Sequence, residues 1–154
     1  TIVDQGANGT SVYRLYDTGN LWIWGQNTAG VVGDGTTTNR GSPILSNTSV
    51  ARVWWMKNVS SGHNYSRYIC EKDDGTIWGV GHNGQGQLGD GSTTQRNSWV
   101  ALSWADSNVR EVYGVGSHYG YIFWAMLDGT IQFTGYNLLF VGGGCAVTLH
   151  RCFD

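Results

Sequence analysis

The chain has 154 residues, enough for one domain with a real core and too few for two comfortable ones. Its 24 glycines, eight Trp and eight Tyr stand against only 13% charged residues, which excludes disorder, and the glycines keep no three-residue period, which excludes a collagen. A net charge of −2 with no cluster of Lys or Arg lacks the footprint of a nucleic-acid binder, and no apolar run approaches the roughly eighteen residues of a spanning helix, so no membrane insertion is expected.

In chain order, the first strand-like run lies at 12–16. An Asp17-Thr18-Gly19-Asn20 turn follows, then a second apolar run at 21–24. Two β-rich runs joined through a glycine turn predict a hairpin. A glycine-rich loop comes next, Gly30 to Arg40, then a short strand around Ile44 and a longer one at 50–56. The same order then returns: strands at 68–72 and 77–80 around Asp73-Asp74-Gly75-Thr76, a loop from Gly86 to Arg96, and strands around Val100 and at 109–113. A third hairpin is expected at 122–126 and 131–134 around Leu127-Asp128-Gly129-Thr130.

Gly19, Gly75 and Gly129 are spaced by 56 and 54 residues, and Gly25, Gly81 and Gly135 keep the same offsets, as do Gly6, Gly62 and Gly116. Repetition at this period, with about four strands per unit and no helical periodicity, predicts an all-β fold of propeller-like blades of about four antiparallel strands. The units are read as residues 1–56, 57–110 and a partial third at 111–137, with 138–154 outside the repeat. That makes an incomplete ring of about two and a half repeats in a single module, 1–154.

The second unit carries a family resemblance. Residues 74–83 (Asp-Gly-Thr-Ile-Trp-Gly-Val-Gly-His-Asn) and 84–91 (Gly-Gln-Gly-Gln-Leu-Gly-Asp-Gly) resemble the repeat of the regulator of chromosome condensation family. Arg96 stands where that family often has Arg, and Gly62-His63 and Gly116-Ser117-His118 look like its glycine–histidine turn. The first unit departs from the pattern at Thr28-Ala29 and Val31-Val32, and the third keeps only its opening half. The resemblance implies a propeller of about seven blades. This chain then needs further blades, from a longer polypeptide or from other copies. Thr1 in place of Met suggests a processed or excised chain.

Several motifs invite a chemical reading and are better read structurally. The Gly-x-Gly-x-x-Gly patterns at 79–84 and 84–89 precede no helix, so the dinucleotide geometry is missing. Asp34 and Asp90 supply one carboxylate per loop, far short of a calcium shell, and are expected to close Asx-turns, with Arg40 and Arg96 pinning neighbouring loop groups. Cys70 sits in an apolar strand as a small core residue. Cys145 and Cys152 are close enough in sequence to bridge a hairpin, which would imply an oxidising compartment. With His150 they offer three of the four ligands a structural zinc needs, so no metal is expected. His63 and His118 read as turn residues. No nucleophile–base pair and no carboxylate pair is visible, so no catalytic residue, no cofactor and no enzymatic activity are expected.

The aromatics remain. Trp22 and Trp78 are repeat equivalents suited to packing between blades. Trp54 and Trp55 are neighbours on a strand and point to opposite faces, so one of them is expected to face a partner. With Tyr65, Trp99, Trp104, Tyr119 and Tyr136, in or near loops, they form the expected partner surface. The expected function is recognition without catalysis: the tip or head of a multi-subunit surface assembly such as a viral or phage tail fibre. It would bind a protein or glycan receptor outside the cell or on the virion surface. The resemblance implies a second reading, a guanine-nucleotide exchange factor or other protein-interaction propeller, though no residue maps onto the inserting element that exchange would need. A structural subunit without its own ligand is a third.

Overall fold

A computed structural model describes residues 1–56, 65–114, 120–135 and, for the backbone alone, 147–149. The first blade comprises β1 (Ile2–Ala7), β2 (Ser11–Tyr16), β3 (Leu21–Gly25) and β4 (Arg40–Asn47). The second comprises β5 (Val50–Met56), β6 (Arg67–Lys72), β7 (Ile77–Gly81) and β8 (Arg96–Ala101). A 3-10 turn at Ser103–Ala105 leads to the third: β9 (Val109–Gly114), β10 (Tyr121–Met126), β11 (Ile131–Gly135) and β12 (Val147–Leu149). Each blade is a four-stranded antiparallel sheet with its strands in sequence order. The all-β blades expected from the repeat are present. Two strands have no counterpart in the sequence reading, β1 and β12; β12 pairs with β11 and gives the third sheet its fourth strand.

The blades repeat in register. Leu15↔Leu21, Glu71↔Ile77 and Ala125↔Ile131 close the three hairpins, and Ile2↔Tyr16, Val50↔Lys72 and Val109↔Met126 open the three first-strand pairings, each with a shift in register one step further in. Gly19, Gly75 and Gly129 turn the hairpins at φ of +74°, +83° and +84°, a region that costs residues with a Cβ about 1–2 kcal/mol. In the second and third turns an aspartate helps: Asp74 and Asp128 each accept the amide and the hydroxyl of the Thr two residues on.

Burial shows how the sheets are arranged. β2 and β10 alternate, hiding Tyr13 and Leu15, and Ile122, Trp124 and Met126, as strands with one covered face do. β6 does not alternate: Arg67, Tyr68, Ile69 and Cys70 are all buried, because the second blade is covered on both faces. The cores therefore lie between blades. Tyr13, Leu15, Leu21 and Ile23 meet Val50, Val53, Tyr68, Cys70 and Val80 across the first gap. Trp54, Met56, Ile69, Ile77, Leu88 and Leu102 meet Val109, Val112, Ile122, Trp124 and Met126 across the second. Cys70 is the core residue expected, and burial pushes its thiol up to about 12. The face a blade turns toward the next is called its front here, and the opposite face its back.

All three sheets run in the same sense. One end carries the hairpin turns at 17–20, 73–76 and 127–130; the other carries the long loops at 26–39 and 82–95.

Candidate functional site

The long loops are held open by the same device twice. Asn27 is fully buried beneath the first loop, where its Oδ1 accepts the Val32 amide at 2.8 Å and its Nδ2 donates to the Thr36 carbonyl at 3.0 Å. Asn83 does the same beneath the second, accepting the Leu88 amide at 2.8 Å and donating to Ser92 O and Thr94 O, each at 3.1 Å. Above each amide sits the aspartate. Asp34 accepts Thr36 N, Thr36 Oγ1 and Arg40 Nε; Asp90 accepts Ser92 N, Ser92 Oγ, Arg96 Nε and Asn83 Nδ2. These are the Asx-turns and arginine pins expected from Asp34, Asp90, Arg40 and Arg96. Burial alone would raise both carboxyls, but the hydrogen bonds from their Thr or Ser and Arg partners outweigh it and hold them below the usual carboxylate range.

Both carboxylate oxygens of Asp34 and of Asp90 are engaged by donors of their own loop. Among the described residues no three His, Cys, Asp or Glu come together. What the arrangement presents is shape: two rigid crests whose exposed side chains include Thr37, Thr38 and Asn39 on one and Thr93 and Thr94 on the other.

The sequence-predicted aromatics separate into two groups. Trp54 is buried between the second and third blades, stacked under the Arg52 guanidinium and donating Nε1 to Glu111 of the third blade at 2.9 Å. It is therefore a packing residue, contrary to its place in the expected partner surface: its side of β5 is the one the third blade covers. Trp55, on the other side, is exposed at one edge and packs against Tyr13 and over Gly6. Trp99 lies on β8 and not in a loop. It is half-buried against the first blade, over Gly33, with Nε1 bonded to Ser46 Oγ at 2.9 Å. Trp104, in the 3-10 turn, packs edge-on against Trp124 of the third blade. Tyr65 is half-buried with its ring edge-on to His82. Tyr119, Tyr136, His63, His118, His150, Cys145 and Cys152 lie outside the described residues.

Besides Trp55, the exposed large apolar side chains lie on the two outer blades. Ile2, Val3 and Leu45 are on the first blade, and Tyr113, Tyr121, Leu127 and Ile131 on the third. The sequence reading missed these and the two hub asparagines. The signal was available in both cases, since Asn27 and Asn83 stand at the same repeat offset, as do Ile77 and Ile131.

The sequence profile of the Regulator of chromosome condensation (RCC1) repeat matches residues 18–69. Human WBSCR16 superposes with a TM-score of 0.72 at 18% identity, over 97% of this chain and 38% of its own. Yeast RCC1 (Prp20), in its structure bound to Kap60, superposes with a TM-score of 0.70 at 16% identity, over 99% of this chain and 38% of its own. Prp20p from Saccharomyces cerevisiae, in a structure described together with its binding to Gsp1p and histones, gives 0.59 at 20% identity, over 88% and 31%. At these identities the likeness is one of fold, and the chain spans less than two-fifths of each of those proteins. The three registered blades and these superpositions agree on the fold: the chain is an arc of β-propeller blades, of which residues 18–69 match the RCC1 repeat.

Proposed function

We propose that the chain is a non-catalytic recognition module that grips a protein partner through the loop end of its blades. The setting we propose is the head of a multi-subunit surface assembly, such as a viral or phage tail fibre, on the virion surface or outside the cell. The observation that carries this reading is the doubled loop hub. Asn27 with Asp34–Arg40, and Asn83 with Asp90–Arg96, fix two crests before any partner arrives, so ordering the loops costs little at the moment of binding. The crests are rich in hydroxyls and amides and carry no net charge, which suits hydrogen-bonded contact with a polar protein surface and not a phosphate backbone. Propellers of this fold hold proteins: Prp20 was solved with Kap60 bound, and its binding to Gsp1p and histones is described.

The test is binding of the labelled chain to intact bacterial cells, with and without protease treatment, beside a glycan array. Protease should abolish binding. Thr37→Arg and Thr94→Arg, exposed substitutions that leave both hubs intact, should weaken it about tenfold, or about 1.4 kcal/mol. Binding unchanged by both crest substitutions, or retained after protease and reproduced on glycans, would remove the reading.

A further inference from the structure

The two interfaces inside the arc and the two faces at its ends use the same positions. The register makes Ile2, Val50 and Val109 equivalent, each opposite Tyr16, Lys72 or Met126. Val50 and Val109 are 3% and 2% exposed because a blade lies behind each of them, whereas Ile2 is 40% exposed. On the front faces Ile77 and Ile131 are equivalent, at 0% and 41%, and so are Trp54 and Tyr113, paired with Ile69 and Phe123 and exposed at 7% and 60%. The turn glycines agree. A Cβ on Gly19 would meet Ser49 and Val50, and one on Gly75 would meet Ser107, while Gly129 has nothing within 4 Å. Gly19 O and Gly75 O each accept an amide from the chain entering the next blade, Val50 N and Ser107 N, both at 2.9 Å.

We infer that the front of the third blade docks on the back of the first blade of a second copy of this chain, repeating the internal blade-to-blade interface between molecules. The third blade offers Tyr113, Tyr121, Phe123, Ile131 and Phe133, with the Tyr121–Phe123 and Phe123–Phe133 rings already edge to face. The first blade offers Ile2, Val12, Trp22, Trp24 and Leu45 around one cation, Arg14, which lies over the Trp24 ring. Arg14 occupies the position of Cys70 and Trp124, at the centre of the internal interfaces. A guanidinium there finds a matching surface in the π-faces of the aromatic cluster, just as Arg52 and Trp54 pair within the arc. Continuity with an interface the chain makes twice is what selects a second copy. The contact is head-to-tail, so it propagates to a ring or an open array and does not stop at a symmetric pair.

The experiment is light-scattering mass measurement of the purified chain and two variants. Wild type should have a mass that is a multiple of the 16.8 kDa chain. Ile131→Glu and Ile2→Glu place a carboxylate at positions already exposed in the single chain, so the fold should survive, shown by unchanged circular dichroism, while each variant alone becomes a monomer. Each variant keeps one competent face, so mixing them should yield a heterodimer and nothing larger. A wild-type monomer at all accessible concentrations would overturn the inference, as would assembly unaffected by both variants. Cell binding that persists in the monomeric variants would leave the recognition reading standing by itself, so the two fail separately.

Discussion

At the scale of single residues, the loop aspartates do more for the architecture than the aromatics first suspected of function. Asp90 accepts four donors, and Arg96, its charged partner, is itself about one-third exposed. Asp90→Ala takes the acceptor from Ser92 N and Ser92 Oγ and the carboxylate from the Arg96 guanidinium, which water can partly screen, while Asn83 Nδ2 keeps Ser92 O and Thr94 O. The expected cost is about 2 kcal/mol, less than the full cost of orphaning a buried charge. Urea denaturation measures it, and Asp90→Asn should recover part of the loss. A pH dependence follows from the depressed carboxyls. Asp34 and Asp90 have folded pKa values below their unfolded ones, so their contribution is complete above the unfolded value of about 3.9 and is lost as pH falls through the folded value. The acid-unfolding midpoint should therefore move to higher pH in both Asp→Ala variants, and an unshifted midpoint would contradict the account. Trp54 and Trp55 show what the sequence could say about these sites. Alternation on a strand requires that one be covered and one not, but which side faces a neighbouring blade is a tertiary fact that the repeat alone does not encode.

At the scale of elements, one glycine position governs how each hairpin leaves the sheet. Gly25, Gly81 and Gly135 end the second hairpin strand at φ of +112°, +110° and +121°, and a Cβ on them would lie 2.7, 2.5 and 2.6 Å from the carbonyl oxygens of Thr10, Ser66 and Gly120. Gly129 also has positive φ but open space around it. Gly129→Ala should therefore cost about 1–2 kcal/mol, the backbone strain alone. Gly81→Ala adds a backbone clash that no side-chain rotation relieves, and it should lower the melting temperature clearly further. Equal melting temperatures for the two would refute the distinction. Hairpins of this kind were the most readable part of the chain, because glycine turns and alternating apolar residues are local signals. β1 was not readable: Ile2–Ala7 includes Asp4, Gln5 and Gly6, and its strand character comes from pairing with β2, not from its own composition. β12, Val-Thr-Leu, went unread for a different reason: it lies in a stretch with no repeat pattern to mark it.

At the scale of the molecule, no blade has a core of its own. The apolar residues of each sheet are divided between two gaps, so the second blade belongs to both cores and contributes Val53 to one and Trp54 to the other from adjacent positions on one strand. The sequence announced this division as repetition, since equivalent positions in successive units must meet equivalent surroundings, but it gave no sign of where the stack would be left open. One consequence concerns unfolding. If the third blade peeled away, Ile69, Ile77 and Leu88 would lose their cover, and the two blades left behind would fall below the roughly three stacked units that such architectures need. The peeled state should not accumulate, and the arc should melt as one unit. Ile23→Ala in the first gap and Ile77→Ala in the second should each cost about 2–5 kcal/mol. Amide hydrogen exchange then decides the point, because a substitution in either gap should lower the protection of β2 and of β10 together. If Ile77→Ala released β10 while leaving β2 fully protected, the blades would be independent units, and the sharing of the second blade between two cores would carry no energetic weight.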